Sequence, residues 1–503
     1  MISIVHHLAR NTHGGDAGLD RMPMHLALII FSVTFIFIGL INPAVALRDA
    51  DTFWHIRTGQ WILDHYQWPY ADPFSYTFYG KPWIAKEWLS QVFLAAAFNF
   101  GGWHAVVLLT AAVYAAIAAV LTLYVTQFLR LSFAIALVLV TCLLLTPHFL
   151  ARPHLFAYLI FSLWLFLLLD AYDNRRTPPL VLAGLMLLWA NIHSSFVLGL
   201  AVFYVVSAFI SVRAINSRDA RTLKRVALIL LLVTIAACTT PYGISPLLLT
   251  WRIMGMKSMM AHLVEWQPPN FRDYPIYLAY LLALFALFSA FGIKLRTVRL
   301  ALLMIAVWLG FSSTRGFNIL LLIVPFIVAR PAAHEVVYFS RLNRHGAKRT
   351  DPVLRFLETH GGHLSVAGIC LVVVSAILLS QLKTVEPPGT NAPKDAIKFA
   401  AQAGISGNVF NSYGFGGYLI FKDIPTFIDG RVDLYGDQFF NDYFAAVNLS
   451  DIGASYNLLD RYKIAWVLLE PNARLSHGLR LNSNDWTQVF SDKDAVVFVR
   501  VHN

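Results

Sequence analysis

The chain has 503 residues, 57% of them hydrophobic and only 13% charged, with a mean hydropathy of +0.60, which is too little polar surface to cover a soluble globule of that size. The formal net charge of +11 does not indicate nucleic acid, because the basic residues fall in short clusters between apolar runs, where membrane topology and anionic lipid account for them. Cys142, Cys238 and Cys370 all lie inside apolar runs, which excludes a disulfide within any extramembrane part.

In chain order, residues 1–25 read as a polar, His-rich tail on the cytoplasmic side, and the apolar run at 26–47 as an uncleaved signal anchor. That run exceeds a signal-peptide core, although Ala44-Val45-Ala46 has the small-residue pattern of a cleavage site. Residues 48–102 form a first outer loop, with Trp54, Trp61, Trp83 and Trp88 on helical spacing that predicts helices lying along the interface at 52–65 and 84–100. Further runs near 103–128, 131–147, 153–171, 178–193, 196–212, 226–240, 275–293, 299–313, 317–330 and 363–382 bring the expected spans to about eleven.

Arg130, then Arg175 and Arg176, then the cluster from Arg213 to Arg225, then Lys294, Arg296 and Arg299, then the Arg341-to-Arg355 cluster fall in alternate loops. These loops are cytoplasmic by the positive-inside rule, so residues 48–102, 241–274 and everything after about 383 face outward, the periplasm in a bacterium. The expected fold class is an α-helical polytopic membrane protein: a membrane domain over 26–383 and a small periplasmic α/β domain over 384–503. In that domain Pro393 opens a helix ending near Gly404, and NVFNS, GYLIF, PTFIDGR, IAWVLLE, WTQVFSD and AVVFVRV read as strands, with helices between about 436 and 462. Asp429-Gly430 reads as a hairpin turn and Gly416-Gly417 as a bulge; a sugar-contacting role for SYGFGG and IDGRVDLYGD is the weaker alternative.

The stretch RDADTFWHIRTG at 48–59 crowds two aspartates, two arginines and a histidine against the end of the first apolar run. Farther on, Tyr79-Gly80-Lys81-Pro82-Trp83-Ile84-Ala85-Lys86-Glu87-Trp88-Leu89 aligns in unbroken register with the pattern N-G-x-P-Y-x-x-K-P-P-L. In these features the chain resembles the start of the GT-C superfamily of polytopic glycosyltransferases, which use lipid-phosphate sugars, such as the aminoarabinose-to-lipid-A transferases and the protein O-mannosyltransferases. The resemblance covers about the first 130 residues and sets Asp51 on the family's catalytic aspartate. It departs at Thr52, where the family has a second acid, and at Glu87 and Trp88, which replace paired prolines.

The resemblance implies transfer from a polyprenyl-phosphate sugar to an outer-face lipid, polysaccharide or protein. Such a transfer needs a base for the acceptor hydroxyl and cations for the leaving phosphate, but no acid, and it inverts the anomeric carbon. Asp51 is the candidate base, with Asp49 as helper, second base or, with Asp51, ligand of a divalent cation such as Mg²⁺ or Mn²⁺. The bland alternative is that one of the two aspartates caps the interfacial helix. Arg152, His154, His193, Glu265 and Arg315 emerge at the same ends of their spans as Asp51 and, with His55, Lys86 and Glu87 in the first loop, are the candidate substrate-binding residues. For each singly, a snorkelling or capping role is the competing reading. A flippase or transporter predicts ionisable residues near the midplane and two related halves, neither of which the sequence displays; an outer-face polysaccharide polymerase or ligase and a non-catalytic scaffold are further alternatives.

Overall fold

A computed structural model describes residues 17–41, 43–340, 352–382 and 385–501. Most of the N-terminal tail and the basic cluster up to residue 351 lie outside the described residues. Every expected apolar run falls on a helix: α1 (Ala17–Ile36), α2 (Asp51–His65), α3 (Trp88–Val125), α4 (Leu131–Leu145), α5 (Pro153–Asp173), α6 (Val181–Ile192), α7 (Phe196–Asn216), α8 (Ala220–Cys238), α9 (Ser245–Met254), α10 (Lys257–His262), α11 (Pro275–Phe291), α12 (Thr297–Ser312), α13 (Thr314–Glu335) and α14 (Pro352–Leu382), with α2, α9 and α10 in the two expected outer loops. Among the described residues seven helices are long and apolar enough to cross a membrane, and three more, α6, α11 and α12, are apolar but shorter. The chain is a multi-pass membrane protein.

Two departures from straight helices position the site. The first-loop helix and the following span form one continuous element, α3, broken only at Gly101 and Gly102. Gly102 has φ 58° and ψ −148°, a region that side-chain-bearing residues avoid, so the interfacial half turns into the span there. The second is α2, which starts immediately behind a short 3₁₀ turn over Pro43–Leu47. The backbone N–H of Asp51 donates to Asp49 Oδ1 at 2.8 Å, so of the two aspartates it is Asp49 that ties the entry to this helix.

The C-terminal region holds a four-stranded sheet of order β1-β2-β4-β3, formed by β1 (Asn408–Asn411), β2 (Ile464–Leu469), β3 (Trp486–Ser491) and β4 (Val496–Arg500). The β1–β2 pair is parallel and the others antiparallel. Side chains alternate between faces along each strand. Phe410, Val467, Leu469 and Phe498 pack under α17 (Val432–Val447), α18 (Ile452–Arg461) and α19 (Arg474–Leu481), whereas Val409, Trp466, Leu468 and Val497 pack under α15 (Lys394–Gln402) and α16 (Gly416–Phe421). Phe53 of α2 is part of that second core, edge-on to Tyr418 at 5.2 Å. The first outer loop and the sheet layer thus share one hydrophobic core. GYLIF, expected as a strand, is helix α16, and PTFIDGR contributes a single bridge between Ser75 and Thr426 instead of a strand.

Candidate functional site

Asp51 opens α2 with its side chain 15% exposed. Its Oδ1 accepts the indole N–H of Trp54, one turn on, at 3.0 Å, and its Oδ2 is bonded to Arg152 Nη2. Arg152 stands just ahead of α5 and is shared among three acids: Nη1 also lies 3.1 Å from Asp49 Oδ2 and 3.5 Å from Glu265 Oε2. The other oxygen of Glu265 is paired with Arg315, whose guanidinium lies over the Trp266 ring at 5.1 Å. Five of the residues singled out in sequence, Asp49, Asp51, Arg152, Glu265 and Arg315, therefore form one continuous ionic chain across four segments of the polypeptide.

Burial pushes the Asp51 carboxyl up to about 7; the like charges of Asp49 and Glu265 add to the rise, and Arg152 and the Trp54 indole hold it back. For Glu265 burial acts in the same direction but is outweighed by Arg315 and Arg152, which keep it below the usual carboxylate range. The two acids, joined through Arg152, are thus pushed in opposite directions, the pattern expected where one of them exchanges a proton.

Glu87, Lys86 and two histidines form a second group beside the first. His193 Nδ1 accepts the backbone N–H of Ser195 at 3.1 Å, and His55 Nδ1 accepts from Gln91 Nε2 at 3.2 Å. Each ring therefore carries its proton on Nε2, which faces Glu87 at 3.5 Å from His193 and 3.9 Å from His55. Burial holds His55 well below its ordinary value and the Glu87 carboxyl above its own. Lys86, a candidate substrate-binding residue, donates at 2.7 Å to Asp433 in the first turn of α17, and both are largely buried. His154 sits in the first turn of α5, where its Nε2 donates to the His148 carbonyl at 3.2 Å.

Several neighbours were not foreseen. Asp433, Gly430 and the pairing of Arg431 and Asp429 with Asp72 of the first outer loop lie in or against IDGRVDLYGD, a stretch read as a turn with sugar contact as the weaker alternative; that it packs on the first outer loop is a long-range contact local sequence cannot place. Trp54 was legible, since it follows Asp51 by one helical turn. The divalent cation left open in sequence does not fit: Arg152 stands between Asp49, Asp51 and Glu265, and among the described residues no group of three or more His, Cys, Asp or Glu side chains can hold a metal ion. An incoming cation would have to displace that guanidinium.

No protein-family model and no curated protein matches the chain. Among solved structures it is similar to the archaeal oligosaccharyltransferase AglB from Archaeoglobus fulgidus in complex with an inhibitory peptide and a dolichol-phosphate, with a TM-score of 0.54 at 11% identity over 95% of this chain and 74% of that one. The apo oligosaccharyltransferase of the same organism gives 0.51 at 12% identity over 88% and 69%. ArnT from Cupriavidus metallidurans bound to undecaprenyl phosphate gives 0.48 at 15% identity over 93% and 98%. At these identities the likeness is one of fold, and the chain has the GT-C-like fold that its first outer loop resembles.

Proposed function

We propose that the chain is a membrane glycosyltransferase that moves a sugar from a polyprenyl-phosphate donor to a hydroxyl on an outer-face acceptor: a lipid, a glycan or a protein of the cell envelope. In a bacterium this places it in the inner membrane with the C-terminal region in the periplasm. The observation that carries the reading is the Asp51 carboxyl: largely buried at the start of a short helix, paired with Arg152, pushed up to about 7 by burial, and linked through Arg152 and Glu265 to Arg315, a second cation that could meet a departing phosphate.

In the proposed reaction the acceptor oxygen bonds to the anomeric carbon as the carbon–oxygen bond to phosphate breaks. The acceptor proton passes to Asp51, and the lipid phosphate leaves with the electron pair. Arg152 keeps Asp51 oriented and tempers its basicity. Arg315, whose side chain is 37% exposed, is the cation best placed to turn towards the phosphate. A transporter is disfavoured because the buried ion clusters lie at helix ends: Arg152 precedes α5 and Asp173 closes it.

The test uses purified full-length protein in lipid nanodiscs with a panel of labelled polyprenyl-phosphate sugars and an envelope extract as acceptor. Label is expected in the acceptor with at least one donor, at a rate about 10²-fold or more lower in Asp51→Asn. Release and transfer of no sugar by wild type across the panel would sink the reading.

A further inference from the structure

The C-terminal region reaches the site through residues 426–431, where Arg431 is fully buried between two aspartates. Its Nε and Nη2 donate to Asp429 Oδ1 and Oδ2 at 2.8 and 2.7 Å, and its Nη1 donates to Asp72 of the first outer loop. Asp72 in turn accepts the backbone N–H groups of Phe74 at 2.9 Å and Ser75 at 3.1 Å, and the Phe74 and Trp83 rings cover the guanidinium at 5.2 and 4.8 Å. Backbone bonds join the same segments, from Tyr76 N to the Thr426 carbonyl at 3.2 Å and from Thr426 N to the Phe74 carbonyl at 3.3 Å.

What this clamp holds in place is the peptide at Gly430. A Cβ built there overlaps Asp51 Oδ1 and stands 2.8 Å from Trp54 Nε1, and one built on Gly416 overlaps the Ile428 carbonyl on the other side. The backbone at 428–430 is therefore wedged between α16 and the carboxylate of α2, with no side chain at 430 to hold it off. A buried ion cluster adds little net stability, because desolvation offsets the attraction, but it admits few alternative geometries. Its directional bonds are what fix this peptide against Asp51.

We propose that Gly430 and Arg431 are positioning residues of the transfer site: the Arg431 clamp presses the Gly430 peptide onto Asp51 and Trp54, so that the C-terminal region forms the wall excluding water from the base. The proposal rests on the glycosyl-transfer reading for its kinetic consequence but not for its geometry. The two are tested separately in Gly430→Ala, Asp72→Asn and Arg431→Gln, with Gly453→Ala as control, since a Cβ at 453 meets only Asp451 Oδ1 at an ordinary 3.5 Å.

The first readout needs no substrate. In ¹⁵N-tryptophan-labelled protein the Trp54 indole N–H, assigned with Trp54→Phe, exchanges with solvent slowly in wild type and in the control, and about tenfold faster or more in the three variants as the wall opens locally. The second is label transfer: kcat falls about 10²-fold, as for a small misplacement of a reacting group, while donor KM stays within about threefold. Wild-type exchange together with wild-type kcat in Gly430→Ala overturns the proposal and leaves the transferase reading standing. If Arg431→Gln does not fold, Gly430→Ala and Asp72→Asn decide. If wild type transfers no sugar, the exchange rate alone decides, and slow exchange in Gly430→Ala overturns the wall.

Discussion

Helix α5 carries a buried arginine–carboxylate cluster at each end, and the two are built on opposite principles. At its C-terminus Asp173 receives Arg299 Nη1 and Nη2 at 2.7 Å each and Arg330 Nη1 at 2.8 Å. The remaining donors of Arg299 reach the Ile327 carbonyl at 3.1 Å and the Tyr124 hydroxyl at 3.3 Å. The Nε and both terminal nitrogens of Arg299 and both oxygens of Asp173 have partners there, and cations outnumber the acid. At the N-terminus one arginine serves three carboxylates, and one of them, Asp51, is driven towards its protonated form. A saturated cluster joins helices; an undersupplied one keeps a carboxyl whose proton can be exchanged near neutral pH.

The contrast is broken or sharpened most by Asp51→Asn, which keeps the volume and can still accept from Trp54 but cannot take a proton. Turnover in the label-transfer assay is expected to fall by about 10² to 10⁴ with thermal stability near wild type. Asp49→Asn is expected to lose less; the reverse order would exchange the two assignments. At the other cluster Arg299→Met leaves Asp173 short of its chief partner, so folding stability measured by denaturation in mixed micelles should drop by about 3–5 kcal/mol. Turnover per folded molecule should be retained, and a specific loss of kcat there would erase the distinction between the clusters.

Smaller effects follow from the two cations. Arg315→Met should cost about 10²-fold in kcat, the effect of removing one preorganised donor. Lys86→Met should act mainly on stability, because it strands the buried Asp433; equal kcat losses in both would return Lys86 to the phosphate site. The mildest test is pH. Asp51 must be ionised to accept a proton, so kcat/KM should fall about tenfold per unit as pH drops below about 7, and this limb should be absent from the residual activity of Asp51→Asn.

The sequence made the membrane half legible because apolar runs of spanning length leave few alternatives, and because the Asp51 stretch, Arg152, Glu265 and Arg315 all adjoin span ends. Near-complete burial was harder to read. The five residues of GYLIF, 417–421, look like a strand by composition, yet they form a helix that packs between the sheet and α2, a long-range contact that local composition does not show. Asp429-Gly430 has the chemistry of a hairpin turn, but its acid is consumed by Arg431 and its glycine is required by contact with a residue some 380 positions earlier. Lys86 was a candidate substrate-binding residue for the same reason: Asp433, which pairs with it, is distant in the chain.

Because ion clusters pin both ends of α5, this 21-residue helix has a fixed span of about 31 Å, close to the hydrocarbon thickness of an ordinary bilayer. Most spanning helices meet a thicker or thinner membrane by sliding or by letting terminal side chains snorkel, but α5 can do neither without breaking a buried pair. The whole bundle must tilt, or the surrounding lipid must stretch, and either shifts Asp51 and Arg315 relative to the headgroup plane in which a lipid-borne phosphate would sit. If the proposed transfer takes place there, its rate is expected to depend on acyl-chain length through this geometry.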